Sequence, residues 1–175
     1  MDLQAISPGT NPPSDINVVI EIPMRGTIKY EVDKQSGAVF VDRFLATSMQ
    51  YPCNYGFIPG TLSDDGDPAD VLVVCQDPLA PGSVIRARPV GVLLMDDEAG
   101  QDEKIIAVPH SKITRLYDTV SQIGDLPEML LDQITHFFEH YKDLEHGKWV
   151  KVGEWGSSDQ ACDLITTALG RANQA

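Results

Sequence analysis

The stretch "VIRARPVGVLLMDDEAGQDEKIIAVP", residues 84–109, contains two apolar runs joined by an acidic turn. The two runs, at 84–95 and 104–109, are rich in Val and Ile, which favour strands over helices. The turn carries five acidic residues, Asp96, Asp97, Glu98, Asp102 and Glu103. We therefore predict two strands whose connection presents a cluster of carboxylates.

Four shorter strand candidates precede this pair, at residues 16–22, 27–32, 38–44 and 71–74. In 27–32, Lys29 and Glu31 alternate with apolar residues, which is typical of a strand with one buried face. The turn "DKQSG" that follows predicts a hairpin. We interpret "YPCNYGFIPG", residues 51–60, as a connector. Short strands at this spacing predict a small closed barrel.

The last third of the chain changes to helical periodicity. Apolar residues recur at helical spacing from Pro127 to about Leu144. A strand candidate, "KWVKVGEW", follows, and Ser157 with Gln160 has the spacing of a capping box at the start of a second helix. The sequence contains no internal repeat. We expect a mainly β protein with flanking helices (α+β), in which residues 1–175 form one domain and 1–15 an irregular lead-in.

Composition restricts the classes of partner. The formal net charge of −13 argues against nucleic acid, because phosphate backbones are bound by basic surfaces. Small phosphates remain possible, since bound cations can reverse the local charge. The three cysteines lack C-x-x-C spacing, which indicates free thiols in a reducing compartment. No apolar run approaches the roughly 20 residues of a membrane span, and the start of the chain does not resemble a signal peptide. We therefore expect a cytoplasmic protein with no membrane partner.

A second acidic cluster lies in "SDDGDPADVLVV", residues 63–74, which carries Asp64, Asp65, Asp67 and Asp70. It is not an EF-hand, because the sixth and twelfth positions counted from Asp65 are not Gly and Glu. A solvated turn remains the alternative. If the two clusters meet at one rim of the barrel, each carboxylate pair ~5 Å apart would repel by about 3 kcal/mol at an effective dielectric of ~20. Cations would have to offset this repulsion, and carboxylates without His or Cys favour Mg²⁺.

Basic and aromatic residues near these segments could bind a phosphate. Lys and Arg donors together with Tyr hydroxyls suit a multiply charged anion. The candidates are Lys29, Arg43, Lys104, Tyr141 and Lys142. Taken singly, each cation is more simply explained as a solvated charge, and Tyr141 as a core residue.

A competing hypothesis is a zinc hydrolase. "HFFEH", residues 136–140, matches the H-x-x-E-H pattern of one zinc-peptidase class and would place His136 and His140 on one side of a helix. Nothing in the sequence marks a third ligand, so surface or subunit-contact histidines are the alternative. The sequence contains neither a G-x-x-x-x-G-K-[ST] phosphate loop nor a G-x-S-x-G elbow. A non-enzymatic divalent-cation binder would explain the acids but not the Lys and Arg residues.

"DGDPADVLV" resembles the D-G-D-P-x-D-V-L signature of the soluble family I inorganic pyrophosphatases of the short bacterial type. The similarity extends through "VVIEIP", "IKYEVDKQSGAVFVDRF", "YPCNYGFIPGTL" and "DLPEMLLDQITHFFEHYKDLEHGKWVKV". The resemblance implies an OB-like five-stranded closed barrel with two main C-terminal helices. It also implies hydrolysis of pyrophosphate to two orthophosphates, several Mg²⁺ ions per active site, and a homohexamer.

The same resemblance implies roles for individual residues. Direct metal ligands would be Asp65, Asp70 and Asp102, and Asp97 would contact further metals that arrive with the substrate. Asp67 would accept the proton of the nucleophilic water. Three glutamates, Glu21, Glu31 and Glu98, would act through metal-bound waters or from behind the ligands. The two phosphoryl groups would be bound by Lys29, Arg43, Tyr55, Lys104, Tyr141 and Lys142.

Overall fold

The computed structural model describes residues 2–174, which contain nine strands and two α-helices. The strands are β1 (Ile16–Ile22), β2 (Ile28–Val32), β3 (Val39–Phe44), β4 (Asn54–Phe57), β5 (Asp70–Val73), β6 (Val84–Asp97), β7 (Gly100–Gln101), β8 (Lys104–Pro109) and β9 (Val150–Gly156). The helices are α1 (Glu128–His140) and α2 (Ser158–Ala172), and short 3-10 turns cover Leu3–Ala5 and Ile123–Asp125. In the described part of the chain, no helix is both long and apolar enough to cross a membrane.

Five strands close into a ring in the order β1, β4, β5, β8, β6 and back to β1. All of these pairings are antiparallel except β5 with β8, which is parallel. The 14-residue strand β6 makes closure possible, because its first residues pair with β1 while later residues pair with β8, β9 and β7. A closed ring leaves no long unpaired edge. The predicted five-stranded OB-like barrel is confirmed.

Residues 54–57 form strand β4, so the interpretation of residues 51–60 as a connector is wrong. All four residues of β4 are buried, and the strand links β1 to β5 in the ring. A Cβ atom on Gly56 would lie 2.0 Å from the carbonyl oxygen of Val19 on β1, so only glycine permits this close pairing. The strand is only four residues long and lies in a segment rich in Pro and Gly, so the sequence shows no alternation of polar and apolar residues there.

The two helices cover different faces of the barrel. Phe137 and Phe138 of α1 belong to a buried cluster that contains Leu72 and Ile106 from the ring. Ile165 of α2 packs in a second cluster with residues of the opposite strand face. Burial of each such side chain contributes about 1.5–3 kcal/mol. As predicted, Ser157 caps α2, and its hydroxyl accepts a hydrogen bond from the Gln160 amide (3.2 Å).

Helix α1 ends at His140, earlier than the predicted Leu144. The chain then continues in tight turns, in which the Asp143 amide donates to the His140 carbonyl (3.1 Å) and the Glu145 amide to that of Lys142 (2.8 Å). We call residues 141–148 the post-helix turn. The hairpin β2–β3 forms as predicted and lies outside the ring, with Lys29 directly opposite Arg43.

Candidate active site

The acidic loop that leads into β5 is held in a compact turn. The Gly66 amide donates to the Ser63 carbonyl (3.2 Å), and the Asp67 amide donates to Asp65 Oδ1 (2.9 Å). Gly66 has a φ of +91°, a left-handed conformation that glycine adopts without strain. Asp70 then begins β5. The turn therefore directs three aspartates of one short segment to the same end of the barrel.

The two acidic segments meet at Lys104, the first residue of β8. Because β5 and β8 are parallel neighbours, with Val71 opposite Ile105, Asp70 and Lys104 lie at the same end of the ring. Lys104 is only 3% exposed; its Nζ lies 2.6 Å from Asp70 Oδ2 and also contacts Asp102 Oδ1. The same ammonium lies 5.6 Å from the ring centroid of Tyr55. One buried cation thus joins acids that are distant in sequence.

Seven of the fourteen predicted site residues line a single cavity of about 170 Å³, whereas Arg43, Tyr141 and Lys142 do not line it. The predicted members are Glu21, Lys29, Glu31, Tyr55, Asp65, Asp67 and Asp70. A smaller adjoining pocket is lined by Asp65, Asp70 and Asp102 together. The structure therefore brings the loop at 65–70 and the acidic turn after β6 to a common site.

A second charged cluster forms where β6 ends near the post-helix turn. Lys142 Nζ lies 2.8 Å from Asp97 Oδ2 and 3.4 Å from Glu98 Oε2. Lys148 Nζ lies 2.6 Å from Glu98 Oε1. The Asp97 carboxylate also contributes to raising the pKa of Asp102, which links this cluster electrostatically to the first. Tyr141 caps α1 and stacks on Phe137 with ring centroids 5.0 Å apart.

The hairpin supplies two further cations, each paired with a carboxylate. Lys29 Nζ lies 2.7 Å from Glu31 Oε1 and 3.6 Å from Asp42 Oδ2. Arg43 Nη1 lies 3.2 Å from Glu145 Oε2 in the post-helix turn. The predicted cations are therefore held in ion pairs and are not freely solvated charges.

Burial dominates the electrostatics of the acids. It raises the pKa of Glu21 to about 7 and is the main cause that raises the pKa of Asp102 to about 6. It also raises the pKa of Asp65. Burial alone would lower the pKa of Lys104, but the carboxylates of Asp70 and Asp102 raise it above its ordinary value. Buried acids with raised pKa values are those that a nearby cation stabilises most.

The pKa of Glu98 is shifted in the opposite direction, because ion pairing outweighs burial. Burial by itself would raise the pKa of Glu98, but hydrogen bonds from Lys148 and Lys142 lower it to about 2. Glu98 therefore stays ionised and holds the two lysines of the post-helix turn near the end of β6.

The donor chemistry of the small pocket fits a hard cation. Its carboxylates come from Asp65, Asp70 and Asp102, and neither His nor Cys lines it, which suits Mg²⁺ better than zinc. In the observed arrangement, the Lys104 ammonium supplies the positive charge between Asp70 and Asp102. Among residues 2–174, no group of three or more His, Cys, Asp or Glu side chains surrounds a single point closely enough to hold an ion. The carboxylates thus suit Mg²⁺ by ligand type, and in the observed arrangement they contact Lys104 and do not converge on one point.

The zinc hypothesis gains no further ligand from the fold. His136 and His140 lie on one side of α1 with ring centroids 4.7 Å apart. His140 Nδ1 lies 2.9 Å from Asp143 Oδ2. In the part of the chain that the structure describes, no three potential ligands converge here either, and the cavity lies elsewhere.

Four charged residues of the site, to which the sequence pattern assigns no role, are Lys34, Asp42, Glu145 and Lys148. Lys34 Nζ lies 2.8 Å from Asp67 Oδ1, and the other three pair with predicted site residues as described above. Their local sequence does not distinguish them from solvated charges, because tertiary contacts alone bring them to the site.

Comparison with known proteins agrees with this geometry. The family model for inorganic pyrophosphatase matches residues 18–173. The chain is 60% identical over 173 residues to the inorganic pyrophosphatase of Brucella melitensis, covering 98% of each chain. It is 62% identical over 170 residues to that of Rhodospirillum rubrum, covering 97% of this chain and 95% of the relative. The crystal structure of the inorganic pyrophosphatase from Thermus thermophilus superposes with a TM-score of 0.94 at 42% identity, covering 99% of each chain. With its fold, its cavity and these relatives in agreement, the chain belongs to the inorganic pyrophosphatase family.

Proposed function

We propose that this chain hydrolyses pyrophosphate to two orthophosphates, with Mg²⁺ as cofactor and Asp67 as proton acceptor. The observation that carries the proposal is the cavity in which Asp65, Asp67 and Asp70 face Lys29 and Tyr55. A site that combines cation ligands with ammonium and hydroxyl donors suits a multiply charged anion. Family membership identifies pyrophosphate as the substrate to test.

In this proposal, aspartates bind the metal ions directly and glutamates act indirectly. Asp65, Asp70 and Asp102 would hold the first Mg²⁺ ions, and Asp97 would hold ions that enter with the substrate. Three glutamates would act through bound waters, Glu21, Glu31 and Glu98. When bound, Mg²⁺ neutralises phosphoryl oxygens and lowers the pKa of a coordinated water.

Asp67 is suited to move a proton. Its carboxylate is 71% exposed and faces the cavity from the turn, with Lys34 as its ion-pair partner. A general base must lie within hydrogen-bond reach of the proton that it accepts. Unlike Asp70 and Asp102, Asp67 is not bonded to the buried Lys104, so its carboxylate remains accessible to water and substrate.

The paired cations would bind the two phosphoryl groups. These residues are Lys29, Arg43, Lys104 and Lys142, joined by the hydroxyls of Tyr55 and Tyr141. In the free chain, carboxylates hold each of the four cations in place. This pre-organisation reduces the entropy lost when substrate binds. A lysine whose carboxylate partner is neutralised can then donate to a phosphoryl oxygen.

A phosphate-release assay tests the proposal directly. Pyrophosphate would be incubated with the chain in the presence of Mg²⁺, Zn²⁺ or a chelator. We expect phosphate release with Mg²⁺ and loss of release with chelator. Release only with Zn²⁺ would favour the zinc hydrolase, and Mg²⁺ binding without release would favour a simple cation binder.

The same family resemblance supports two further proposals. The 175-residue chain would act as a single catalytic domain and assemble as a homohexamer. Sedimentation equilibrium would test the assembly, because a monomer or a dimer would contradict it.

A further inference from the structure

Glu145 contacts Arg43, one of the cations assigned to phosphate binding by the proposed function. Glu145 Oε2 lies 3.2 Å from Arg43 Nη1, and the Glu145 side chain is only 14% exposed. Asp42 Oδ2 lies further away, 3.7 Å from Arg43 Nε. A partly buried ion pair is screened less by water and salt than a surface pair. The contact with Glu145 can therefore fix the orientation of the guanidinium.

The backbone of Glu145 is fastened to both lysines of the post-helix turn. Its amide donates to the Lys142 carbonyl (2.8 Å), and its carbonyl accepts from the Lys148 amide (3.3 Å). Through its side chain, the same residue contacts Arg43 on β3. Glu145 thus joins the hairpin, which lies outside the ring, to the turn that carries Lys142.

The pair with Glu145 leaves hydrogen-bonding capacity unused. Arg43 Nε and Glu145 Oε1 are both buried, and within the described residues neither has a hydrogen-bond partner. A guanidinium has five N–H donors in a fixed plane. Because Glu145 contacts Nη1 and Nε is buried, Nη2 and the second N–H of Nη1 are the donors left to bind an anion without breaking the pair.

We infer that Glu145 is a positioning residue that orients Arg43 and ties it to the post-helix turn for phosphate binding. The inference rests on the proposed function. Two effects of the carboxylate oppose each other, so the direction of the change in KM tests the inference. Its negative charge weakens the attraction of Arg43 for an anion, so loss of charge alone would lower KM. Loss of orientation would instead raise KM and lower kcat.

We expect orientation to dominate, because the carboxylate contacts the guanidinium at 3.2 Å and is largely buried. Glu145→Gln should lower kcat/KM by about tenfold, which is the scale of one charge-assisted hydrogen bond, with much of the loss in KM. Glu145→Asp retains the charge but shortens the side chain, so it should also lower kcat/KM. A role limited to charge would leave Glu145→Asp unchanged.

The matched control is Asp143→Asn, an isosteric change two residues earlier in the same turn, where the carboxylate pairs with His140 Nδ1 at 2.9 Å, whereas Arg43 pairs with Asp42 and Glu145. It should leave kcat and KM unchanged. Titration calorimetry with imidodiphosphate, a pyrophosphate analogue, should show weaker binding to Glu145→Gln than to the unaltered chain. In an Arg43→Lys background, Glu145→Gln should have little further effect.

Four results would overturn the inference: a lower KM in Glu145→Gln, unchanged kinetics in that variant, an equal loss in Asp143→Asn, or additive losses with Arg43→Lys. Circular dichroism of each variant shows whether a loss comes from misfolding, and analogue binding by the folded Glu145→Asp variant then decides the question. If the unaltered chain releases no phosphate from pyrophosphate, the proposed function itself fails. If the unaltered chain is active and Glu145→Gln has the same kcat and KM, the proposed function stands and only the inference about Glu145 fails.

Discussion

Replacement of Lys104 by Met tests whether a buried cation holds the acidic site together. Lys104 is 3% exposed, and its Nζ contacts both Asp70 and Asp102. Met has a similar volume and fills the same space, but it leaves the two carboxylates without a positive charge. Burial already raises the pKa of Asp102 to about 6 while Lys104 opposes that rise.

The structure sets the size of the effect. At the observed 2.6 Å between Lys104 Nζ and Asp70 Oδ2, the attraction is about 6 kcal/mol at an effective dielectric of about 20. Relief of the burial of the ammonium offsets part of this loss, and removal of one partner from a buried pair costs about 3–5 kcal/mol. For a chain of this size, the unfolding temperature should fall by roughly 6–20 °C. A loss of about 3–5 kcal/mol is a large share of a total stability of roughly 5–15 kcal/mol.

The loss should depend on pH. Without Lys104, the pKa of Asp102 rises further, so folded Lys104→Met keeps a proton there at pH values at which the unfolded chain has lost it. Stability therefore falls with rising pH in the variant, and the difference from the unaltered chain should grow above about pH 6. Thermal unfolding followed by circular dichroism at pH 6 and pH 8, without metal, measures both effects. Lys151→Met, at an exposed position of β9, is the control and should change stability by less than about 0.5 kcal/mol. A loss equal at both pH values, or no loss, would refute the reasoning.

Four further variants probe the site. Asp70→Asn should weaken Mg²⁺ binding and turnover together, whereas Asp67→Asn should reduce kcat more than Mg²⁺ affinity; equal losses of affinity in titrations of both would contradict their assigned roles. Glu21→Gln should stabilise the metal-free chain by about 3 kcal/mol at pH 8, because burial raises the Glu21 pKa to about 7 and native stability falls as pH rises from about 4.5 to 7; at pH 4 denaturant curves of the two should coincide. Tyr55→Phe should raise KM more than it lowers kcat, and an inactive variant would show that the hydroxyl does more than bind substrate.

Several elements were predictable because their signals are local. The alternation of residues 27–32 predicted β2, and the spacing of Ser157 and Gln160 predicted the start of α2. The segment at 65–70 showed an acidic cluster by residue type and spacing, and only the family resemblance suggested roles for its acids. Such patterns reflect which face of an element is buried, because buried and exposed positions alternate at the period of a strand or a helix.

Other features depend on contacts between distant residues. Strand β4 escaped notice because its four residues are buried on all sides and have no alternation to detect. Helix α1 ends at His140, and the hydrogen-bonded post-helix turn that replaces its predicted last residues places Glu145 against Arg43 of β3.

The sequence by itself determined the family, most of the element types and which acidic and basic residues are candidates for the site. Only the tertiary structure decided which charges meet, because closure of the ring places the parallel strands β5 and β8 side by side and so brings Lys104 between Asp70 and Asp102. Pairing partners depend on strand order and register, and residues about 30 positions apart carry no local pattern that specifies either.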